Sequence, residues 1–365
     1  MYVASVALHD FRNYHSASLE LAPTATLIIG ANGQGKSNLL EAIGLLSIGK
    51  SVRGAPDAEV VRWGTQGSRI ACELVGTAAS RLEMQIEPGQ RKQVRADGAA
   101  LSSLSDLIGI MRTVHLAPDV IDYQFRSPSG RRRMLDILIS QIDQGYLAAL
   151  KRHRRIVQGI NALCKHEQPD ASVMDVWEAQ LAWVAVEIMS RRNEVLKALQ
   201  QAAQRYFEGL FRSESIEIKM RTTLPADGED EDELRDACLE ALRAARGQSR
   251  RMGFVTKGAH RDRFDVLIGG RLIEAHASQG QTKGAYFAWK LAEGDVIEQT
   301  TGEKPLWLVD DPFSEMDRRR ALGLLDLFRD RGQVILTTAR DSDLGLDTLG
   351  FARWQVHDGS VTSLE

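Results

Sequence analysis

A run of glycines ending in Lys-Ser has the residue types and spacing of a phosphate-binding loop. The residues are Gly30, Ala31, Asn32, Gly33, Gln34, Gly35, Lys36 and Ser37, followed by Asn38, and they match G-x-x-x-x-G-K-[ST]. Glycines let the backbone turn its N–H groups inward around a polyphosphate. Lys36 would then reach the terminal phosphates, and the Ser37 hydroxyl would bind Mg²⁺. We therefore predict a site for ATP and Mg²⁺ that includes all of these residues.

Two adjacent carboxylates follow an apolar run late in the chain. Asp310 and Asp311 come directly after residues 306–309, which are Leu-Trp-Leu-Val. A buried strand would carry Asp310 to the edge of a sheet beside the phosphate loop, where it could hold Mg²⁺. Asp311 would then be placed to polarise the attacking water. The alternative, a helix cap and turn, is disfavoured by the phosphate loop upstream.

A third group of polar residues opens a predicted helix. It consists of Ser278, Gln279, Gly280 and Gln281. A hydroxyl, a glycine and amides suit a helix N-terminus that contacts phosphate. Ser and Gly are also ordinary helix caps, so this pattern alone favours neither interpretation.

The elements that must position these residues follow from periodicity. Residues 26–29 predict a buried strand before the loop, and residues 38–48 predict a helix after it. Long helical periodicity begins after Ser127 and continues to residue 211, with the Trp177 and Trp183 pair interpreted as helix core. We predict an α/β fold with one ATPase core split between residues 1–126 and 215–365. A helical, lid-like insertion would occupy residues 127–214.

Composition limits the class of protein. The chain of 365 residues has a formal net charge of −3, which argues against a protein that binds polyanions over its whole surface. A local basic patch remains compatible with that charge. The three cysteines have no C-x-x-C spacing, and no run approaches the roughly 18 apolar residues of a membrane span. We expect a soluble, cytoplasmic protein without a membrane association.

Several blocks, in the same order along nearly the whole chain, resemble those of the RecF family, the bacterial recombination mediator ATPases of the ABC/SMC-like class. The blocks are G-A-N-G-Q-G-K-S-N-L-L-E-A-I at residues 30–43, G-K-S-V-R at 49–53, S-P-S-G-R-R-R-M-L-D at 127–136, G-A-H-R-D at 258–262, S-Q-G-Q at 278–281 and D-D-P-F-S-E-M-D at 310–317. F-R-N-Y at residues 11–14 also matches the family's N-terminal loop, which places Arg12 near the nucleotide.

The resemblance implies roles for these residues. Ser278 to Gln281 would be the signature motif, which contacts the γ-phosphate held by the other subunit of an ATP-dependent homodimer. Asp310 would be the Walker B carboxylate for Mg²⁺, and Asp311 would be catalytic together with Lys36 and Ser278. Residues 314–317 would form the D-loop at the dimer interface. Thr337 and Thr338 lie where related ATPases have their switch residue.

The resemblance also implies partners. The family binds double-stranded DNA near gaps and works with RecO and RecR to load RecA. Basic clusters lie at residues 131–133, 151–155, 243–251 and 318–320. Each is equally well explained as a solvated helix face, but for the first two we favour binding to the phosphate backbone without base readout.

Two other classes share the phosphate loop. One is the membrane-coupled transporter ATPase, in which far fewer residues separate the phosphate loop from the later carboxylate than separate Lys36 from Asp310 here. The other is the structural SMC ATPase, whose coiled coil is far longer than the insertion predicted here. The alternative function is therefore that of another SMC-like or ABC-type ATPase, coupled to a different partner.

Overall fold

The computed structural model describes residues 1–166, 170–210, 214–226, 228, 230–313, 318–339 and 351–364, with the backbone alone described at residues 210 and 318–321. The chain forms two compact units. The first unit comprises Met1–Ile121 and Glu293–Glu365, and the second comprises Asp122–Ala292. Among the described helices, none is both long and apolar enough to cross a membrane.

Strands and helices alternate at both ends of the chain, and helices dominate its middle. The strands are β1 (Tyr2–Phe11), β2 (Tyr14–Glu20), β3 (Ala25–Ile29), β4 (Ser68–Val75), β5 (Arg81–Ile86), β6 (Gln93–Ala96), β7 (Ala99–Ala100), β8 (Thr113–Leu116), β9 (Ile216–Arg221), β10 (Arg263–Ile268), β11 (Arg271–Leu272), β12 (Leu306–Asp310), β13 (Val334–Thr338), β14 (Ala352–His357) and β15 (Ser360–Leu364). The α-helices are α1 (Lys36–Ile48), α2 (Asp57–Val60), α3 (Pro128–Ile142), α4 (Gln144–Cys164), α5 (Ala171–Leu210), α6 (Glu231–Met252), α7 (Ile273–His276), α8 (Gln279–Thr301) and α9 (Arg318–Asp326).

The first unit contains two six-stranded sheets. One is antiparallel, with the order β2-β1-β4-β5-β6-β7. The other has the order β15-β14-β3-β13-β12-β8, and its pairs are parallel except for β14 with β15. Because β13 lies between β3 and β12, the carboxyl ends of these three parallel strands meet at one edge.

Helix α1 lies between the two sheets. It contacts β1, β4 and β5 of the antiparallel sheet and β8, β12 and β13 of the parallel one. Its buried residues run around the whole helix, including Leu39, Leu40, Ile43, Leu45 and Leu46. A helix that is apolar on all sides is stable only when it is enclosed. The two sheets therefore fix the position of the loop that precedes α1.

The second unit is built on three long helices and a small sheet. Helix α5 packs against α4 and α6, and β9 packs against α5 while β10 packs against α3. The antiparallel order is β11-β10-β9. These contacts extend the second compact unit to Ala292, beyond the predicted insertion of residues 127–214. Whether residues 215–292 belong functionally to the ATPase core stays a prediction.

A short 3₁₀ helix forms at Leu104–Leu107, where Ser103 and Asp106 make a capping box at its start. One local interpretation from the sequence was wrong. Trp183 was interpreted as core, yet it is 59% exposed and is covered by the guanidinium of Arg235, 4.0 Å from the ring centroid.

Candidate nucleotide site

The phosphate loop begins after β3, at a point where its backbone lies close to the neighbouring strand β14. A Cβ on Gly30 would lie 2.4 Å from the backbone oxygen of Val356 on β14, so only glycine has room there. Gly33 and Gly35 have φ angles of 81° and 114°, which side chains rarely adopt. Gly35 directly precedes the first residue of α1. The loop thus opens onto a helix N-terminus, where unpaired N–H groups attract anions.

The ammonium of Lys36 lies inside this loop. Its Nζ donates hydrogen bonds to the backbone oxygens of Gly30 at 2.8 Å and Ala31 at 3.0 Å. Burial lowers the pKa of Lys36, while the carboxylates of Asp311 and Asp310 act against that shift. The side chain is therefore positioned by the same loop that would enclose a polyphosphate.

Ser37 and Asp310 meet although they are far apart in sequence. The Ser37 hydroxyl donates to Asp310 Oδ1 at 2.8 Å. The Thr337 hydroxyl donates to the same oxygen at 2.7 Å, because Thr337 lies opposite Asp310 in the β12–β13 register. A serine oxygen and a carboxylate oxygen at this spacing suit a Mg²⁺ ion, which prefers oxygen ligands. This donor set fits the magnesium site predicted from the sequence.

Asp311 lies just beyond the end of β12 in a left-handed conformation. Its φ is 39°, and its backbone N–H donates to the Thr337 hydroxyl at 3.0 Å and to the Thr337 carbonyl at 3.2 Å. The side chain is half-buried and acts electrostatically on Lys36. Its fixed backbone beside the loop is compatible with the predicted catalytic position.

Arg53 is a site residue that the sequence analysis did not assign. Its Nη2 donates to Asp310 Oδ2 at 2.8 Å and to Asp119 Oδ2 at 3.1 Å. Arg53 thus places a positive charge on the carboxylate predicted to hold Mg²⁺. The sequence did mark Arg53, because it ends the G-K-S-V-R block. Its role could not be assigned from the sequence, because both of its partners lie far away in the chain.

The F-R-N-Y loop supports the phosphate loop from outside. Asn13 Nδ2 donates to the Gln34 carbonyl at 2.8 Å, and the Tyr14 hydroxyl donates to the Gly35 carbonyl at 3.0 Å. Asn38 Nδ2 donates to Asn13 Oδ1 at 2.8 Å. The buried ring of Tyr14 therefore fixes the loop at the residue before α1.

Arg12 makes hydrogen bonds to protein groups beside the phosphate loop and α1. Its Nε and Nη2 each donate to the Glu41 carboxylate at 2.9 Å, and its Nη1 donates to the Glu59 carbonyl at 2.9 Å. Ser51 donates to Glu41 at 2.5 Å. Arg12 thus neutralises a carboxylate buried on α1, and a direct contact of Arg12 with nucleotide stays a prediction.

The strand pair β14–β15 also reaches the phosphate loop and was missed. The N–H of Asp358, at the turn between these strands, donates to Gln34 Oε1 at 2.5 Å. A Cβ on Gly359 would lie 2.6 Å from the Asn13 carbonyl. Asp358-Gly359 is a two-residue hairpin signal, so this turn could have been found from the sequence.

The predicted signature motif lies at the start of α8 in the second unit. Gln281 N–H donates to the Ser278 hydroxyl oxygen at 3.1 Å, and Ser278 N–H donates to Gln281 Oε1 at 2.8 Å. This is a capping box, so the cap interpretation is correct for these residues. Ser278, Gln279 and Gly280 are nevertheless exposed, and the Ser278 proton stays available for donation. The predicted D-loop at residues 314–317 lies outside the described residues.

The structure corrects the role proposed for Arg131 in the cluster at residues 131–133, whereas Arg133 is exposed and its predicted contact with DNA stays a prediction. Arg131 is fully buried, and its guanidinium donates to the carbonyls of Phe264 and Phe125 and to the Glu274 carboxylate. Arg132 Nη1 donates to the Asp262 carbonyl at 2.7 Å. Arg131 therefore stabilises the second unit and is not accessible to DNA phosphates.

A neighbouring network joins two of the sequence blocks. The buried Arg192 donates to Asp262 Oδ2 at 2.7 Å, to Asp136 Oδ1 at 2.9 Å and to the Ala259 carbonyl at 2.8 Å. Its Nε also donates to the hydroxyl of Tyr146 at 3.0 Å. Asp136 ends the Arg-rich block and Asp262 ends G-A-H-R-D, so both blocks contribute to one buried ion network.

Comparison with known proteins gives a consistent result. Residues 2–346 match the family described as RecF/RecN/SMC N terminal domain. The DNA replication and repair protein RecF of Gloeobacter violaceus is 34% identical over 345 residues, covering 93% of this chain and 92% of that relative. A structure of the recombination mediator protein RecF with ATP in the RecFOR pathway is similar with a TM-score of 0.92 at 29% identity, covering 100% and 99% of the two chains. An Smc head bound to the C-terminal winged-helix domain of ScpA has a TM-score of 0.55 at 15% identity, covering 100% and 98%, which extends the fold alone to the SMC heads.

Proposed function

The chain belongs to the RecF family and has the ABC/SMC-type ATPase fold, and from that premise we propose that it is an ATP-dependent, DNA-binding ATPase of recombinational DNA repair in the cytoplasm. The observation that carries the proposal is the meeting of Ser37, Asp310 and Thr337 at the N-terminus of α1. Oxygen ligands for a cation beside a loop for polyphosphate are what transfer of a phosphoryl group to water requires.

Each residue of the site has a proposed task. Lys36 exchanges the carbonyls of Gly30 and Ala31 for phosphate oxygens, which form stronger, charge-assisted hydrogen bonds. Ser37 and Asp310 would hold Mg²⁺, and the Thr337 hydroxyl keeps the Asp310 carboxylate in its orientation. When bound, the ion neutralises charge on the phosphates. Asp311 orients the attacking water and accepts its proton.

The active site is proposed to be completed by a second copy of the chain. Ser278 and Gly280 are exposed at a helix start, and the Ser278 oxygen accepts from Gln281 while its proton can still be donated to phosphate. ATP would thus join two subunits, each giving a phosphate loop to one site and a signature motif to the other. Hydrolysis would release the homodimer.

The proposed ligand is double-stranded DNA near single-strand gaps, where the dimer would work with RecO and RecR to promote loading of RecA. The names of the relatives and of the RecF–ATP structure support this assignment. With Arg131 buried, the stronger phosphate-binding candidates are the exposed cations of α4. They are Lys151, Arg152, Arg154 and Arg155.

The experiment is a complementation of two inactive variants. Ser278→Arg should bind ATP but fail to dimerise, and Lys36→Ala should fail to bind ATP. A mixed dimer carries one site with both lesions and one intact site, so ATPase activity should return on mixing. Light scattering with ATP and duplex DNA measures dimer formation in the same samples. Full activity of Ser278→Arg alone would reject the shared site, and an absence of DNA binding by the unmodified protein would reject the proposed function.

A further inference from the structure

One aromatic side chain of the first unit has almost no contact with the protein. Trp63, between α2 and β4, is 97% exposed. Trp183 in the second unit is also exposed but carries the Arg235 guanidinium on its ring. A tryptophan commonly buries a large apolar area, and complete exposure gives up that stabilisation. Trp63 is therefore available to a ligand in a way that Trp183 is not.

The turn that carries Trp63 is fixed by hydrogen bonds. Arg62 N–H donates to the Asp10 carbonyl at 2.8 Å, which ties the turn to β1. Thr65 closes the turn, because its N–H and its hydroxyl donate to the Arg62 carbonyl at 3.2 and 2.8 Å. Gly64 has a φ of 82°, which suits the tip of such a turn. The indole is thus held away from the surface by an ordered backbone.

Basic and imidazole side chains surround this end of the antiparallel sheet. Arg62 lies beside Trp63 in sequence, and its Nη1 is 3.7 Å from Asp10 Oδ1. His9 lies opposite the exposed Arg69 in the β1–β4 register, and Nδ1 of the exposed His15 donates to Asp10 Oδ1 at 2.9 Å. The carboxylates nearby are matched by cations, since Glu83 pairs with Arg69 at 2.9 Å.

We propose that Trp63 stacks on an unpaired DNA base while the guanidinium of Arg62, the preceding residue, contacts the adjoining phosphate. An aromatic face tolerates any base, and flanking cations follow the backbone, which is how single strands are bound without sequence preference. A protein partner would instead be expected to find an apolar area around the anchor residue. Among the described residues of the first unit, the other exposed large hydrophobic side chain is Val75, at the end of β4 farther from Trp63 in sequence.

The position also links this contact to the nucleotide site. His9 and His15 belong to the β1–β2 hairpin, whose connecting loop contains Asn13, and Asn13 donates to the Gln34 carbonyl of the phosphate loop. A base held at Trp63 would therefore rest on the hairpin that supports the phosphate loop. This inference rests on the proposed function, because it assigns the single-stranded part of a gapped DNA ligand.

The test compares Trp63→Ala with Trp63→Phe and with the control Trp183→Ala. Binding is measured by fluorescence anisotropy, with ATP and Mg²⁺, to a gapped duplex and to a blunt duplex of the same sequence. Trp63→Ala should bind the gapped DNA roughly 5- to 140-fold more weakly, the loss expected for one stacked base. Trp63→Phe should keep most of the affinity, and Trp183→Ala should bind as the unmodified protein does.

The two DNA ligands separate the possible outcomes. Affinity of Trp63→Ala for the blunt duplex should be unchanged, and an equal loss on both ligands would overturn the assignment to an unpaired base. Unchanged binding of Trp63→Ala to gapped DNA would also overturn it, while leaving the proposed function intact if the unmodified protein binds DNA. In a second measurement, gapped DNA should quench a component of tryptophan fluorescence that is lost in Trp63→Phe and kept in Trp183→Phe. Retention of that component in Trp63→Phe would contradict stacking at this residue.

Discussion

Two clusters of charged side chains in this chain are similar in composition but differ in their partners. Around Lys36 in the first unit, the cation is bonded to carbonyls of its own loop, which a ligand can replace. Around Arg192 in the second unit, each guanidinium nitrogen donates to a protein group, including the half-buried Asp136 and the buried Asp262. The first, which we call the open cluster, can accept a ligand, whereas in the second, the closed cluster, protein groups accept from every guanidinium nitrogen.

A motif rich in basic residues does not by its composition alone indicate a phosphate-binding site. Both clusters draw on blocks that resemble one family, and the residue types alone suggest phosphate contact for both. What separates them is burial together with the identity of the partners. A buried cation paired with carboxylates is expensive to uncover, because the partner would be left as an unpaired charge. Arg131 and Arg192 therefore stabilise the second unit, and the glycine loop stays the predicted phosphate site.

The largest effect should come from Asp311→Asn in the open cluster. Asparagine tolerates the left-handed φ of 39° and keeps the N–H bonds to Thr337, so folding and ATP binding should be unchanged. Turnover should fall about 10²- to 10⁴-fold, as for loss of a general base. Asp330→Asn is the control, since Asp330 is exposed and also has a positive φ of 60°. Normal turnover in a single-turnover assay would remove Asp311 from the mechanism.

The matching change in the closed cluster is Arg192→Met. It leaves the buried carboxylate of Asp262 and the half-buried one of Asp136 without their cation, which should lower the free energy of unfolding by about 3 kcal/mol or more. The control is Arg191→Met, because Arg191 is exposed and its ion pair with Asp143 at 3.3 Å should contribute little. Denaturant unfolding followed by circular dichroism measures both. If Arg192→Met were as stable as the unmodified protein but bound DNA poorly, Arg192 would belong with the ligand-binding residues.

Much of the open cluster could be predicted from the sequence because its parts are local. The strand, glycine loop and helix are contiguous, and an apolar run ending in Asp310 implies a strand end at the same sheet edge. The pairing of Ser37 with Asp310 confirms that reasoning. The bond of Asp358 to Gln34 was missed, although Asp358-Gly359 signalled a hairpin, since nothing local indicated which strand would lie beside β3.

The closed cluster could not be predicted in the same way. The partners of Arg192 on α5 come from α3, α4 and the segment before β10, and only the fold shows that they converge on it. The sequence around Arg131 gives charge but not burial. Periodicity could locate the helices of this unit, because an apolar stripe repeats along each of them. It could not show which arginine is buried, because a buried arginine and an exposed one look alike in the sequence.

A smaller effect is expected from Arg53→Gln, which alters the charge in the open cluster. Arg53 donates to Asp310 Oδ2 at 2.8 Å and so competes with a divalent cation for that carboxylate. Removing the charge should lower the half-saturating Mg²⁺ concentration for binding of a fluorescent ATP analogue by roughly tenfold. Arg53→Lys keeps the charge and should stay close to the unmodified protein. A higher Mg²⁺ requirement in Arg53→Gln would mean that Arg53 supports the site instead of competing for it.

The smallest effect concerns two histidines beside the closed cluster. The rings of His153 and His260 are 5.3 Å apart between centroids. Burial lowers the pKa of His153 to about 3 and that of His260 to about 4, and nearby positive charge acts in the same direction. A lowered pKa means that the folded state binds fewer protons than the unfolded state. This contribution to stability is present above the unfolded pKa of about 6.5 and is lost as the pH falls toward 4.

Asp262 opposes this trend, because burial raises its pKa to about 6 and its contribution is lost as the pH rises from about 4 to 6. Two histidines against one aspartate leave a net slope of about 1 kcal/mol per pH unit between pH 6 and 4.5, with acid destabilising the protein. Denaturant unfolding of the unmodified protein and of His153→Gln across this range measures the slope. His153→Gln removes one of the two imidazoles, so its slope should approach zero while the Asp262 contribution remains. An unchanged slope in His153→Gln would show that the acid sensitivity arises outside the His153–His260 pair, and that the region around the closed cluster is no more sensitive to protons than the open one.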